Sequence, residues 1–116
     1  MNQVCFCNDK LWTKNTFKSN FKDVQFEIQK HQGVAGYYDW RLPTLSELIA
    51  IIQKPSKNDT DYCIDTGVFQ DVIKKDYQCY LTSTLSSTDW IYVVDFWNGD
   101  VVKAHITDLM CVRLCR

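Results

Sequence analysis

The side chains best suited to chemistry in this sequence are six cysteines and two histidines, set among fourteen acidic residues. Zinc ligands usually come in pairs about two to four residues apart, often with histidine. Cys5-Phe6-Cys7 is tighter than that, Cys63 and Cys79 stand alone, and His31 and His105 are isolated, so no metal and no cofactor is expected. Disulfide formation suits Cys5, Cys7, Cys63, Cys79, Cys111 and Cys115 better than reduced thiols do, which points to an oxidising compartment. Spacing does not choose among their pairings. Nor does it pick out a Ser-His-Asp or Cys-His set, and the carboxylates are scattered. His105 falls on a strand face with Val101 and Lys103 and reads as a surface histidine. The chain is therefore read as a non-enzyme.

Composition narrows the partners. The chain has 116 residues, of which 46% are hydrophobic, enough for one packed domain over residues 1–116. A net charge of −1 gives no field to attract nucleic acid or acidic membranes, so no nucleic-acid partner is expected. Lys10, Lys14, Lys18, Lys22 and Lys30 read as a solvated face. No apolar run approaches the roughly 18 residues of a bilayer span, so no membrane insertion is expected. The first residues lack the charged start and apolar core of a signal peptide. Homo-oligomerisation is left open.

The elements that must position any site are arranged around residues 36–48. Thr44 and Glu47 form a capping box, Pro43 holds Leu42 extended, and Leu45, Leu48, Ile49 and Ile52 recur at helical spacing. An extended aromatic segment thus turns into a helix over residues 45–53. Trp40, Arg41, Pro43, Thr44 and Glu47 read as structural, with Trp40 buried and Arg41 paired to a carboxylate. Upstream, residues 4–7 read as a strand, and Ser19 or Asn20 as the cap of a first helix. Phe17, Phe21, Val24 and Ile28 would share that helix's buried face, and Gly33 would stop it. Residues 55–61 read as a polar loop and 64–69 as an extended piece. From residue 78 the pattern is strand. Residues 90–97 are apolar on both faces and should lie centrally. Asn98-Gly99 suits a two-residue hairpin turn, and residues 100–106 and 110–115 return as strands. The expected class is α+β, with two helices packed on a twisted antiparallel sheet.

Asp39-Trp40-Arg41-Leu42-Pro43-Thr44 with Glu47-Leu48 resembles the DWRLPT-x-x-EL signature of a bacterial domain family typified by the C-terminal domain of the Legionella collagen-like adhesin. Further matches follow in the family's order: Leu11-Trp12, Ile64-Asp65-Thr66 with Phe69, Tyr80-Leu81-Thr82-Ser83-Thr84, residues 90–96 with Gly99, and Cys111-Val112-Arg113. The resemblance implies a C-type-lectin-like fold and an exported or surface binding module, periplasmic, cell-surface or secreted. It also implies binding of a glycan, sulfated in the case of that adhesin, with protein recognition as the alternative. A formylglycine-generating type of enzyme shares the fold, but its sequence motifs are absent. Leu81 stands where the family has Trp, and residues 19–31 lack the family's helix cysteine. Cys111 would then look to Cys5 or Cys7, if the first strand lies beside the last.

The residues expected at a ligand site are Ser86, Ser87, Thr88 and Asp89 in one turn, Trp97, Asn98 and Asp100 in another, and Lys103 and His105 on the strand that follows. For a sulfated ligand, Lys103 and His105 with Arg113 or Arg116 would supply a basic patch. Tyr37, Tyr38, Tyr92 and Trp97 are the aromatics considered for stacking on sugar rings. Trp97-Asn98-Gly99-Asp100 departs from the calcium-binding element of animal lectins, so no calcium is expected.

Overall fold

The computed structural model describes residues 4–7, 9–13, 16–51, 79–95 and 100–116. Strand β5 (Trp90–Asp95) holds the sheet together because its apolar residues alternate between two cores. Ile91 and Val93 enter one, and Val94 enters the other. Such a strand must be covered on both sides. Helix α1 (Val24–Lys30) covers the first side with Val24 and Ile28. Helix α2 (Leu45–Ala50) covers the second with Leu48, followed by Ile51.

The five-stranded sheet adds β3 (Phe17–Ser19), β4 (Cys79–Leu85), β6 (Asp100–His105) and β7 (Met110–Val112), in the order β3-β7-β4-β5-β6. β4, β5 and β6 form the expected antiparallel meander. β7 does not extend it. It crosses back between β3 and β4, antiparallel to the first and parallel to the second at Tyr80↔Cys111, so the sheet is mixed rather than wholly antiparallel. The reason lies in burial. β6 buries only Ala104 and can serve as an edge, whereas Cys111 and Val112 send apolar side chains into both cores and need a central place.

A second, two-stranded sheet pairs β1 (Val4–Cys7) with β2 (Lys10–Thr13). The first strand therefore pairs with the second and not with the last, while Cys5 and Cys7 pack against the core cluster that holds Cys111 and Cys115. Bridges Trp12↔Cys115 and Arg41↔Cys115 join β2 to the C-terminal segment and to the signature stretch. Cys5 and Cys115 flank Trp12 on opposite sides, two strand spacings or about 10 Å apart, beyond the roughly 7 Å a disulfide spans. Among the described residues no disulfide is formed. Cys63 lies outside the described residues, as do the polar loop and the extended piece that follows it.

The first helix is shorter than its sequence pattern. It begins at Val24 with Asp23 as N-cap, because the Asn20 side chain accepts from the Asp23 N–H at 2.8 Å and holds a turn in front of it. Phe17 belongs to β3 and stacks on His31 with centroids 4.5 Å apart. Gly33, at φ 97°, provides the left-handed residue that ends this region. The second helix begins where expected. Thr44 Oγ1 accepts from the Glu47 N–H at 3.2 Å, and Glu47 Oε1 accepts from the Thr44 N–H at 2.8 Å.

Each signature residue has a structural task. Trp40 is buried and its indole donates to the Val34 carbonyl at 3.0 Å, while Gln32 bonds its backbone N–H and carbonyl. Arg41 forms a two-pronged pair with Glu47, both contacts 2.7 Å, and Lys10 reaches the same carboxylate at 3.0 Å. The Pro43 carbonyl accepts from the Ser83 N–H at 2.9 Å, and Leu45 N–H donates to Thr84 Oγ1, so the helix start is pinned to β4. Buried Thr82 ties the same strand to β5 by donating to the Tyr92 carbonyl at 2.8 Å and accepting from the Thr84 N–H. Thr82→Val keeps the shape and leaves that carbonyl short of its donor; equilibrium denaturation should show a loss of about 1–3 kcal/mol.

β5 and β6 are paired as far as Asp95 opposite Asp100, and the turn expected at Asn98-Gly99 lies outside the described residues. Trp97 lies outside them too.

Candidate ligand-binding site

The turn between β4 and β5 is fastened at both ends. Ser86 and Ser87 N–H groups converge on the Trp90 carbonyl at 2.8 and 3.2 Å, and the Asp89 carbonyl accepts from the Ile106 N–H at 3.0 Å. This hydrogen-bonded corner sets Trp90 at the start of β5. Its neighbours follow from register: Trp90 lies opposite His105, and Tyr92 opposite Lys103. Directly paired residues and those two apart on a strand share a sheet face, so these four side chains emerge together.

Ser86, Ser87, Trp90 and Lys103 line an open hollow of about 410 Å³. Trp90 is 44% exposed, far more than a core tryptophan, and its ring meets the His105 ring edge-on at 5.4 Å. His105 is steadied by the Thr107 hydroxyl, 2.7 Å from its Nδ1, and its backbone N–H donates to Asp108 Oδ2 at 2.9 Å. Lys103 is exposed and, among the described residues, forms no ion pair. The hollow thus combines an aromatic plane, two hydroxyls and a cation. That set can stack on an apolar ring face and hydrogen-bond polar substituents.

Of the residues nominated from sequence, Ser86, Ser87 and Lys103 meet in this hollow, with Thr88 and Asp89 exposed in its turn and His105 beside it. Asp100 does not join them. It stands at the opposite end of β6, five residues from His105 and so about 17 Å away. Trp97 and Asn98 lie outside the described residues. Trp90 is not among the residues nominated from sequence, although a large aromatic directly after Ser86-Ser87-Thr88-Asp89 is the signal for a ring at the mouth of a turn.

The basic patch does not assemble. Arg113 is 1% exposed, donates to the Thr13 carbonyl at 2.8 Å and lies 5.8 Å from the Tyr80 ring centroid, so it is a core residue. Arg116 grips Asp39 through contacts of 2.5 and 3.0 Å and covers the Tyr37 ring at 4.0 Å. Hydrogen bonding to Arg116 holds the Asp39 carboxyl below its ordinary pKa. Among the described residues lining the hollow, Lys103 is the cation.

The Cys79 and Cys115 thiols are held away from the reactive thiolate form. Burial pushes Cys115 up to about 11, despite the nearby Arg41, and burial also raises Cys79. Among the described residues no group of three or more His, Cys, Asp or Glu is placed to hold a metal ion. Among them, too, no helix is long and apolar enough to cross a membrane.

Two helices on opposite faces of a mixed sheet, with a ligand-sized hollow beside a tight turn, make this an α+β domain of C-type-lectin-like arrangement. The chain belongs to the Lcl C-terminal domain family, whose family model matches residues 6–116. Membership is consistent with an adhesin-like surface module. No curated protein matches the chain.

Proposed function

We propose that this domain is a non-catalytic glycan-binding module of an exported bacterial protein, with its site in the hollow of Ser86, Ser87, Trp90 and Lys103. The observation that carries this reading is the exposed Trp90 ring, held by the turn and edged by His105 where hydroxyls and a cation converge. Sugars present an apolar C–H face and a polar rim, and this pairing of surfaces suits both. The volume supports a small ligand, since pockets of about 300–1,000 Å³ are usual for one, whereas a stable protein contact needs about 800 Å² of surface on each partner. Export and an adhesin-like setting are supported by the family.

The test is an array of neutral and acidic glycans probed with the native chain and with Trp90→Ala. The native chain should bind a restricted set of glycans. Trp90→Ala should lose at least tenfold in affinity for that set while keeping a cooperative unfolding transition, because the ring is 44% exposed and its loss costs only part of a core tryptophan's packing. Equal binding by both proteins would remove the site from this hollow.

A further inference from the structure

We infer that His105 positions the Trp90 ring only while its imidazole is neutral, so that the hollow loosens its ligand as the pH falls; this rests on the glycan-binding reading above. The hydrogen bonds at Nδ1 carry it. The Thr107 N–H donates to His105 Nδ1 at 3.3 Å, and the Thr107 hydroxyl stands 2.7 Å from the same nitrogen. A backbone N–H can only donate, so Nδ1 must offer its lone pair and the ring proton sits on Nε2. The backbone that carries the ring is held as well. The His105 N–H donates to Asp108 Oδ2 and its carbonyl accepts from the Asp108 N–H, both at 2.9 Å. Register places the ring opposite Trp90, and the two rings meet at 87° with centroids 5.4 Å apart.

Proton uptake undoes that arrangement. With a proton on Nδ1 the lone pair is gone, and the Thr107 N–H points at another N–H. The imidazolium must swing off Thr107, and Trp90 then loses its edge partner. Histidine is the side chain whose charge ordinarily changes between about pH 5 and pH 8. The charged and titratable groups around the ring come from each element packed against it. Lys103 lies two residues back on β6, Tyr92 sits diagonally across on β5, and Asp89 is in the turn that leads to Trp90. Asp108 is in the turn after His105, and Lys22, ahead of α1, donates its N–H to the Ile106 carbonyl at 3.2 Å. The two lysines oppose a positive ring and the two aspartates favour one, whereas the Thr107 N–H acts on the nitrogen itself. The sign follows. The positioned ring is complete above the range in which an imidazole titrates and is lost as the pH falls through it.

The chain has two histidines, so His31 serves as the control for His105. The probe is the array of neutral and acidic glycans, read at pH 8 and pH 5.5 with the native chain, His31→Gln, His105→Gln and His105→Phe. The native chain and His31→Gln should bind about two- to tenfold more weakly at pH 5.5, the share of one aromatic edge contact. His105→Gln should bind at the weaker level at both pH values. His105→Phe, which restores a flat ring with no proton to gain, should bind more tightly than His105→Gln and equally at the two pH values. With no glycan added, long-range proton–nitrogen spectra at pH 8 should show His105 Nδ1 without a proton. The Trp90 indole signal should move between pH 8 and pH 5.5 in the native chain and stay still in His105→Phe. A proton on Nδ1 at pH 8, or a pH dependence that persists in His105→Phe, would overturn the inference. Trp90-dependent binding that is equal or tighter at pH 5.5 would also overturn it while leaving the glycan-binding reading intact. Failure of every glycan to bind at either pH would remove both.

Discussion

Replacing Trp40 by alanine should lower the free energy of unfolding by about 3–5 kcal/mol, the loss usual for a buried tryptophan whose surroundings relax only in part. Trp40 is 3% exposed and packs in one core with Leu42, Ile28 and Val112. Its indole also donates to the Val34 carbonyl, and Tyr37 leans edge-on against its ring at 6.2 Å. Removal therefore empties a large volume and strips a donor from a turn already held by left-handed residues at Gly33 and Ala35. Domains of this size are stable by about 5–15 kcal/mol, so the variant should be only marginally folded at 25 °C. Urea denaturation followed by far-ultraviolet circular dichroism checks this. A midpoint unchanged from the native chain would show that Trp40 is not a core residue.

Glu47 is the second such position. Its carboxylate accepts from Arg41 twice, from Lys10 and from the Thr44 N–H, and its side chain is 14% exposed. Glu47→Ala should cost about 2–3 kcal/mol, which combines a lost cap with lost charged hydrogen bonds, discounted because Arg41 is itself half exposed. Glu47→Gln keeps the cap acceptor and should cost about 1 kcal/mol. The pH dependence follows from the direction of the shift. Hydrogen bonding to Arg41 first, then to Thr44 and Lys10, holds the folded-state pKa of Glu47 well below its unfolded value. The stabilisation is therefore complete above the unfolded value of about 4.3 and is lost as the pH falls below it. Native protein should lose stability between about pH 5 and pH 2 more steeply than Glu47→Gln does. Parallel curves for the two would contradict the arrangement.

The parts that sequence reading captures are those set by neighbours in the chain. The capping box needs only Thr44 and Glu47 at their spacing, and it forms as that spacing predicts. The central place of β5 follows from apolar residues on both its faces. The order of the signature motifs leads to the family. What sequence reading misses depends on partners far along the chain. Nothing local in Met110-Cys111-Val112 reveals that it inserts between β3 and β4, since that pairing joins residues more than thirty apart to Tyr80 and more than ninety apart to Phe17. Arg113 reads as a surface cation by its type alone, and only the approach of Thr13 and Tyr80 makes it a core residue. Phe17 keeps helical spacing with Phe21, yet β3 claims it because a neighbouring edge offers it backbone partners.

The same division holds at the site. Ser86 and Ser87 are legible as an exposed turn and Lys103 as an outward strand residue. That they share a hollow follows from the Trp90↔His105 and Tyr92↔Lys103 register, which no spacing discloses. Trp90 is not marked out within a strand that is apolar on both faces, and its exposure comes from its place at the start of β5 beside the turn.

The most direct test of the account is amide and indole chemical-shift mapping of the native chain with the best-bound glycan from the array. The account predicts shifts confined to residues 86–90 and 103–107, with the Trp90 indole proton among the largest and the buried Trp12 and Trp40 indoles unmoved. Shifts centred instead on Asp39, Arg116 and the Tyr37 ring, or on the Asp95–Asp100 end of the sheet, would contradict it.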